Sequence, residues 1–241
     1  MTEESRLDAE HLIAHAFKIS RTEVITRHQK LIETIARRLD DEPLAYIIGS
    51  QPFLGLDFIV NKNVLIPRPE TELLVETVLR FTTHDSRLTI ADVGTGSGCI
   101  AVSLASALPN AKLFAIDSVK EALEIAKINA AKHKVSKQIK FLQGDLLTPL
   151  QEKVDIIVSN PPYVPTEEIN NDWEPRGALD GGKDGLDHIR RLIKEAPNYL
   201  KPNGKLFFEF GFGQTDKIRE LTKNKGTIIK DYANIPRIIY L

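Results

Sequence analysis

The stretch VDIIVSNPPY, at residues 154–163, determines both the fold class and the position of a candidate site. Its first five residues form an apolar run of the length and composition of a buried strand. The Pro-Pro step then imposes an extended backbone directly after that strand. This geometry should hold the side chain of Asn160, the carbonyl group of Pro161 and the ring of Tyr163 around one point at the carboxyl edge of a sheet. Two hydrogen-bond acceptors beside an aromatic face suit a planar NH2 group, such as an amide or the exocyclic amine of a base.

From residue 88 onward, strand and helix patterns alternate, which indicates a parallel sheet covered by helices on both faces. The apolar runs predict strands at residues 88–93, 111–116, 138–142, 154–158, 204–210, 226–231 and 236–241, with helices near 98–107, 119–133, 186–200 and 214–223. Only a Pro-containing turn separates the last two strands, so these two should be antiparallel. The predicted fold class is therefore α/β, with a doubly wound, mostly parallel sheet of seven strands.

The first part of the chain has a different pattern. Residues 1–43 predict a small helical domain with two apolar stripes, one of Leu12, Ile13, Ala16 and Phe17 and one of Leu31, Ile32, Ile35, Ala36 and Leu39. Ser20 and Glu23 fit a capping box between the two stripes, and we expect these helices to pack together as a small bundle. Residues 44–66 predict a linker containing a β-hairpin, and residues 67–241 form the third part.

Composition excludes several classes of protein. The hydrophobic content of 42% and charged content of 27% are typical of a globular domain, and the net charge of -1 offers no general attraction to nucleic acid. The single cysteine, Cys99, excludes an internal disulfide framework, and the six histidines lack ligand spacing, so no metal site is expected. No signal-like N-terminus and no stretch long enough to span a bilayer occur, so we expect a cytoplasmic protein without membrane contact.

The first strand of the alternation is followed by a glycine-rich segment, Gly94, Thr95, Gly96, Ser97 and Gly98. Glycines there allow the backbone to approach a ligand closely, and the following helix supplies free N–H groups. No Lys-Ser/Thr step follows, so this is not a phosphate-binding P-loop, and Cys99 replaces the third glycine of the dinucleotide fingerprint. The segment suits a nucleotide-like cofactor, with a tight turn that binds nothing as the alternative.

Two carboxylates follow the next two strands. Asp117 lies about twenty residues after the glycines, where an acid commonly binds ribose hydroxyls. Asp145 ends the third strand and can accept a hydrogen bond from an adenine amino group. Each alone could be a helix cap, a turn residue or a solvated side chain. The glycine-rich segment, Asp117 and Asp145 follow three successive strands, which predicts one cofactor site at this sheet edge. Together with the NH2 site, this cofactor site indicates methylation of a planar nitrogen by S-adenosylmethionine.

The chemistry of an amide explains the expected catalytic roles of Asn160, Pro161 and Tyr163. An amide nitrogen is a poor nucleophile because its lone pair is delocalised into the carbonyl group. Asn160 and Pro161 can accept its two hydrogens and bias the nitrogen toward a pyramidal shape, while Tyr163 stacks on the flat group. Proximity and alignment then supply most of the rate enhancement, and no strong base is needed. The alternative for this stretch is a proline-stiffened turn after a buried strand.

These residues resemble the N5-glutamine methyltransferases that modify bacterial and organellar peptide chain release factors. The resemblance covers most of the chain and is carried by residues 6–10, 42–47, 66–72, 92–98, 159–163, 174–175 and 178–186. The sequence NPPY alone is shared with adenine-N6 methyltransferases. The segments PRPETE, at residues 67–72, and LDGG, at residues 179–182, are more particular to this family.

The resemblance implies the organisation and the substrate. The helical domain would dock the release factor, and residues 67–241 would form the S-adenosylmethionine-dependent methyltransferase domain, acting on the glutamine of the Gly-Gly-Gln motif. Nothing in the sequence itself demands a dimer, so we expect a monomer. Its implied cofactor-binding residues are Gly94, Thr95, Gly96, Ser97, Gly98, Asp117, Asp145 and Asn160. Its implied substrate-binding residues are Asn160, Pro161, Pro162 and Tyr163, bordered by Pro67, Arg68, Glu70 and Thr71.

The chain departs from the family pattern in three places, none of them in the acceptor motif. The helical domain is short, Leu146 stands where many members have tryptophan beside the adenine, and the tail at residues 233–237 lacks the usual Gly-Arg-Asp ending. Two alternatives to glutamine methylation stay open. An adenine-N6 methyltransferase would need a basic surface or a target-recognition domain, and the net charge of -1 favours neither. A cofactor-binding protein without turnover would have no evident need for the Asn160 motif.

Overall fold

The computed structural model describes residues 3–82, 87–170 and 173–241, with side chains from residue 7 onward. The described chain separates into two compact units, Met1–Ile48 and Gly49–Leu241. The finer division into residues 1–43, 44–66 and 67–241 stays a prediction.

The first unit is helical and contains α1 (Glu3–Phe17), α2 (Arg21–Leu39) and α3 (Leu44–Ile48). The predicted capping box at the start of α2 is confirmed. The Ser20 hydroxyl accepts from the Glu23 backbone N–H at 3.1 Å, and the Glu23 carboxylate accepts from the Ser20 backbone N–H at 3.3 Å. These two bonds satisfy amide groups that the first turn of a helix otherwise leaves unpaired.

The apolar stripes of α1 and α2 remain largely exposed. Leu12 is 69% exposed, Phe17 71% and Leu39 80%. The two helices do contact each other, and Arg21 of α2 donates to Glu10 of α1 at 2.9 Å. The expected bundle is therefore only partly formed, and both stripes stay largely open to solvent.

The second unit opens with a two-stranded hairpin, β1 (Ser50–Phe53) and β2 (Leu56–Ile59). Its turn lies at Leu54 and Gly55, whose φ angles of 48° and 74° match the type I′ geometry that hairpins favour. The polar residues 61–63 form a separate turn after β2, where the Val64 N–H donates to the Asn61 carbonyl at 3.1 Å.

A seven-stranded sheet with five helices forms the rest of this unit. Its strands are β3 (Thr89–Val93), β4 (Lys112–Asp117), β5 (Ile139–Gln143), β6 (Val154–Ser159), β7 (Leu200–Glu209), β8 (Thr227–Lys230) and β9 (Pro236–Tyr240). Its helices are α4 (Pro69–Arg80), α5 (Cys99–Ala107), α6 (Lys120–Lys132), α7 (Asp187–Tyr199) and α8 (Thr215–Leu221). The strand order is β5-β4-β3-β6-β7-β9-β8. The first five strands of that order are parallel, and β9 is antiparallel to both neighbours, which confirms the predicted fold class and the predicted antiparallel pair.

Helices cover both faces of this sheet, so the strands are apolar in nearly continuous runs. The face covered by α4, α5 and α6 buries Ile90 and Phe207. The face covered by α7 and α8 buries Ala91 and Phe208. Successive residues of one strand point to opposite faces, and both faces here are core.

Asn129, a fully buried residue of α6, ties the hairpin to the loop after β3. Its Oδ1 accepts from the Ile59 N–H at 2.7 Å, and its Nδ2 donates to the carbonyl groups of Ile59 and Ser97, each at 2.9 Å. Because all three partners are backbone groups, this one side chain fixes the end of β2 relative to the loop after β3.

Replacing Asn129 with alanine should destabilise the protein strongly. The substitution leaves one buried N–H and two carbonyl groups without this partner, and we expect the free energy of unfolding to fall by about 3 kcal/mol. Urea unfolding followed by circular dichroism measures this change. Lys127→Ala, an exposed position on the same helix, should change it by less than about 0.5 kcal/mol. Equal effects of the two substitutions would contradict the role of Asn129.

Candidate active site

The carboxyl ends of β3, β4, β5 and β6 meet at a cavity of about 340 Å³. Seven of the predicted site residues line it: Gly94, Gly96, Asp117, Asp145, Asn160, Pro161 and Pro162. Parallel strands end at the same edge of a sheet, and in such sheets this edge is the usual ligand site. A second concavity of about 430 Å³, beside Arg219 and β8, contains none of the predicted site residues.

The glycines between β3 and α5 have two different roles. Gly94 and Gly96 adopt φ angles of 73° and 54°, and a Cβ atom added to either would meet no protein atom within 4 Å. Both line the cavity, so they leave open space where a ligand can approach the backbone. Gly98, with φ of 82°, instead lies against α6, where an added Cβ would be 3.0 Å from the Cβ atom of Ala126. Gly98 therefore serves the packing of α5 against α6.

Thr95 and Ser97 are buried and are not among the described residues that line the cavity. The Thr95 hydroxyl donates to Asp92 Oδ2 at 2.6 Å, and the Ala101 N–H donates to the same oxygen at 3.1 Å. Asp92 is completely buried, and its other oxygen has no hydrogen-bond partner among the described residues. Burial raises the pKa of Asp92 to about 7, although the donors from Thr95 and Ala101 oppose the shift. A buried carboxylate thus supports the glycine loop from below.

Asp117 holds the same loop from the cavity side. One carboxylate oxygen accepts from the Gly96 N–H and the other from the Val119 N–H, each at 2.9 Å. Burial raises the pKa of Asp117, and these backbone donors oppose that effect. The carboxylate is therefore fixed in orientation while it borders the cavity, as binding of a ligand hydroxyl would require.

Asp145 lies at a more solvated part of the cavity, with its side chain 58% exposed. Arg191 of α7 donates to both of its oxygens, at 2.6 and 3.2 Å. The hydrogen bonds from Arg191 lower the pKa of Asp145, so it remains an ionised acceptor at neutral pH. The sequence did not reveal this partner, because Arg191 follows 46 residues later on another element.

Asn160 belongs to a hydrogen-bonded group with Thr71, Tyr163 and Glu209. Asn160, Thr71 and Tyr163 were predicted as site residues from the sequence, and Glu209 was not. Its Nδ2 donates to the Thr71 hydroxyl at 2.9 Å, and that hydroxyl donates to Glu209 Oε2 at 2.7 Å. The Tyr163 hydroxyl donates to Glu209 Oε1 at 3.0 Å. Glu209 is 1% exposed, and burial raises its pKa to about 7. Its position inside the apolar run LFFEF, at residues 206–210, was the available signal for a buried functional carboxylate.

Tyr163 is hydrogen-bonded through both its side chain and its backbone. Its hydroxyl is bonded to Glu209, and its carbonyl oxygen accepts from Gln214 Nε2 at 2.9 Å. Burial and the neighbouring Glu209 raise the pKa of the phenol, so it stays neutral. Tyr163 is not among the described residues lining the cavity, and its stacking role stays a prediction.

The predicted border segment, residues 67–71, does not line the cavity and contacts the site through other residues. Arg68 forms an ion pair with the buried Glu174, which also accepts from the Ile66 N–H at 3.0 Å. Of the four border residues named in the sequence, Thr71 reaches the site through Asn160, and none lines the cavity among the described residues. The cavity is lined instead by the preceding residues 62–65 and by others that were not predicted as site residues, among them Val119, Pro175, Gly177, Ala178 and His188.

Two further properties of the described residues bear on function. No helix within residues 3–82, 87–170 and 173–241 is long and apolar enough to cross a membrane. The same residues contain no group of three or more His, Cys, Asp or Glu side chains arranged to hold a metal ion.

Comparison with known proteins places this fold in one class. A model of the methyltransferase small domain matches residues 69–174, and a model of the PrmC N-terminal domain matches residues 1–49. The ribosomal protein L11 methylase of Lactobacillus delbrueckii subsp. bulgaricus has a similar structure, with a TM-score of 0.56 and 23% identity, covering 79% of this chain and 88% of that one. A methyltransferase from Pyrococcus furiosus aligns with a TM-score of 0.59 and 17% identity, over 89% and 96% of the two chains. The fold is that of a methyltransferase.

Sequence relatives define the family. The release factor glutamine methyltransferase of Geobacter sulfurreducens is 39% identical over 93% of this chain and 83% of its own length. The corresponding enzyme of Koribacter versatilis is also 39% identical, over 99% and 91%, and that of Coxiella burnetii is 39% identical over 97% and 90%. The chain belongs to the release factor glutamine methyltransferase family, which confirms the resemblance seen in the sequence.

Burial of Asp92 predicts a pH dependence of stability. Its pKa is raised to about 7 in the folded protein, whereas an unfolded chain has a value of about 4. The folded state binds more protons between these values, so the contribution of Asp92 to the free energy of unfolding falls as the pH rises through this window. Asp92→Asn cannot ionise, and between about pH 5 and pH 8 it should gain on the order of 2 kcal/mol relative to wild type.

Urea unfolding of both proteins at several pH values, without cofactor, measures this difference. The exposed substitution Asp216→Asn serves as the control and should give a stability curve parallel to that of wild type. A difference between wild type and Asp92→Asn that is the same at every pH would contradict the expectation.

Proposed function

We infer that this protein transfers a methyl group from S-adenosylmethionine to the side-chain amide nitrogen, N5, of the glutamine in the Gly-Gly-Gln motif of peptide chain release factors. Family membership supports release factor glutamine methylation. The observation that carries the finer proposal is the orientation of Asn160 at the cavity. Its NH2 group is engaged by Thr71, which leaves Oδ1, beside the Pro161 carbonyl, as an acceptor for a substrate amide.

The cavity fits the methyl donor. Its volume of about 340 Å³ lies in the usual range for ligand sites. Gly94 and Gly96 leave room beside the backbone, and the carboxylates of Asp117 and Asp145 would accept from hydroxyl and amino groups. The apolar side chains of Ile116, Val119 and Leu146 complete a wall against which a flat base can lie. When bound, S-adenosylmethionine supplies an electrophilic methyl group attached to a positively charged sulfur.

The protein's part in the reaction is to present the amide nitrogen correctly. Asn160 Oδ1 and the Pro161 carbonyl would each accept one hydrogen of the substrate NH2 group. These two bonds fix its orientation and favour a pyramidal nitrogen whose lone pair points out of the amide plane. The nitrogen becomes acidic as it gains the methyl group, so its proton can leave to water without a strong base. Alignment in a preorganised polar site supplies the rate enhancement.

Substrate docking is assigned to the helical unit. The apolar stripes of α1 and α2 remain exposed, with Phe17 at 71% and Leu39 at 80%. Exposed apolar side chains that share one helix face are typical of interaction surfaces. The partner would be the release factor itself, and the reaction requires no direct contact with nucleic acid and no second copy of the chain. The enzyme would act in the cytoplasm, where release factors function.

Adenine-N6 methylation shares the recognition of a planar NH2 group but is not favoured. The relatives at 37–40% identity are named release factor glutamine methyltransferases, and the net charge of -1 lacks the basic character of most nucleic-acid-binding proteins.

Mass spectrometry of a release factor incubated with the protein and S-adenosylmethionine tests this function. The peptide carrying Gly-Gly-Gln should gain about 14 Da, the mass of one CH2 group, and fragmentation should locate the gain on the glutamine. A release factor with Gln replaced by Asn in that motif is the matched control and should stay unmodified. A gain on another residue, or methyl transfer to adenine instead, would overturn the proposal.

Asn160→Ala should separate cofactor binding from catalysis. Loss of one acceptor for the substrate amide should lower kcat by at least about 100-fold, as for other preorganised polar groups of active sites. The dissociation constant for S-adenosylhomocysteine, measured by calorimetry, should rise by far less than kcat falls, because Gly94, Asp117 and Asp145 remain in the cavity. Asn198→Ala, an exposed position on α7, is the control and should leave both quantities unchanged. Full activity of Asn160→Ala would rule out the proposed mechanism.

A further inference from the structure

Glu209 accepts hydrogen bonds from two hydroxyl groups in the interior of the second unit, below the candidate site. Thr71 of α4 donates to one oxygen at 2.7 Å, and Tyr163, from the loop after β6, donates to the other at 3.0 Å. Thr71 is itself 2% exposed, and it also accepts from Asn160 Nδ2 at 2.9 Å. A continuous chain of hydrogen bonds therefore runs from the buried carboxylate to the carboxamide at the cavity.

The direction of this chain follows from the number of protons available. An ionised carboxylate can only accept, so the single hydroxyl proton of Thr71 must point at Glu209. The oxygen of Thr71 can then only accept from its other neighbour, Asn160. If the carboxamide of Asn160 were rotated by half a turn, Oδ1 would face the Thr71 oxygen with no proton between them. The charge on Glu209 thus selects one of the two orientations of the Asn160 side chain.

We propose that Glu209 is a positioning residue for methyl transfer, which acts through Thr71 to keep the oxygen of the Asn160 carboxamide toward the substrate amide. This inference rests on the proposed function, because it assigns the orientation that an NH2 substrate needs. The reverse orientation would place the NH2 group of Asn160 against the NH2 group of glutamine, and two donors repel each other. Tyr163 bonds to the same carboxylate, so the same charge also fixes the position of its hydroxyl group.

Protonation of Glu209 would remove this selection. A carboxylic acid can donate to Thr71, which frees the Thr71 hydroxyl to donate to Asn160 Oδ1 and permits the reversed orientation. Burial raises the pKa of Glu209 to about 7; the hydroxyls of Thr71 and Tyr163 oppose the shift, as does Arg237 on β9, while Glu70 on α4 adds to it. Cys99, at the start of α5, also interacts electrostatically with this carboxylate, and burial keeps its thiol protonated at neutral pH by raising the pKa.

Glu209→Gln tests this role, because it keeps the shape of the side chain and removes its charge. We expect kcat for release factor methylation to fall by about 10- to 100-fold, with little change in KM for the release factor or in the dissociation constant for S-adenosylhomocysteine. The wild-type kcat should rise by about tenfold between pH 6 and pH 8, as the carboxylate ionises, and the variant should show no such rise. The melting temperature should not fall, because a buried charge has been removed. Glu220→Gln, an exposed carboxylate on α8, is the control and should behave as wild type.

A double-mutant cycle with Thr71 tests whether Glu209 acts through it. In a Thr71→Val background, which lacks the connecting hydroxyl, Glu209→Gln should lower kcat by less than a further threefold. Thr71→Ser, which keeps the hydroxyl, should retain most of the activity that Thr71→Val loses. Additive effects of Glu209→Gln and Thr71→Val, or a wild-type kcat and pH profile in Glu209→Gln, would overturn the inference.

Neutron diffraction from crystals of the wild-type protein, grown above pH 8, gives a test that does not depend on activity. Deuterium should be found on Asn160 Nδ2 facing Thr71 and on the Thr71 hydroxyl facing Glu209. Density showing Oδ1 toward Thr71 would overturn the inference even if methylation is observed. Absence of methylation by the wild type, with the expected deuterium positions, would count against the proposed substrate and not against the role of Glu209.

Discussion

The parallel pairing of β3 with its two neighbours is the constraint on which the candidate site depends. β3 pairs with β4 and with β6 in registers that place Val93 beside Ile116 and beside Ser159. The residues that follow these three strand ends are therefore forced to the same edge of the sheet. Gly94, Asp117 and Asn160 come from segments far apart in the chain, yet one backbone register brings them to one cavity.

Two buried carboxylates support this edge from the interior, and both are unfavourable for stability when ionised. Asp92 lies under the glycine loop and Glu209 under the acceptor site, and burial raises the pKa of each to about 7. The raised pKa values show that desolvating these charges costs more than their hydrogen bonds recover. Their presence below a cavity is explained by the fixed direction that an acceptor-only group imposes on its donors. Active sites commonly retain such unfavourable groups because they fix the geometry of the residues that act.

The sequence predicted those features that depend on local pattern or on topology. The alternation of strands and helices predicted the sheet, and Ser20 and Glu23 predicted a capping box, because both signals depend on residues close together in the chain. Contacts between distant segments were not predictable in this way. Asn160 meets Thr71 across 89 residues, and Arg68 meets Glu174 across 106. No periodicity encodes such a pairing, since it depends on which loops the completed sheet brings together.

The candidate site has one end at Asn160 that is backed by buried groups and a solvated end at Asp145. Asn160 is oriented by groups that are almost wholly buried, where low polarity strengthens each hydrogen bond and water cannot compete for the donors. Asp145 is oriented by Arg191 at a position where its side chain is 58% exposed, and exposed ion pairs contribute little to stability because water and salt screen them. A reaction that depends on the direction of one nitrogen lone pair needs high precision at the acceptor. A cofactor that must enter and leave in every cycle needs contacts at the rim that form and break at low cost. The buried chain from Glu209 to Asn160 and the exposed pair of Asp145 and Arg191 match these two requirements.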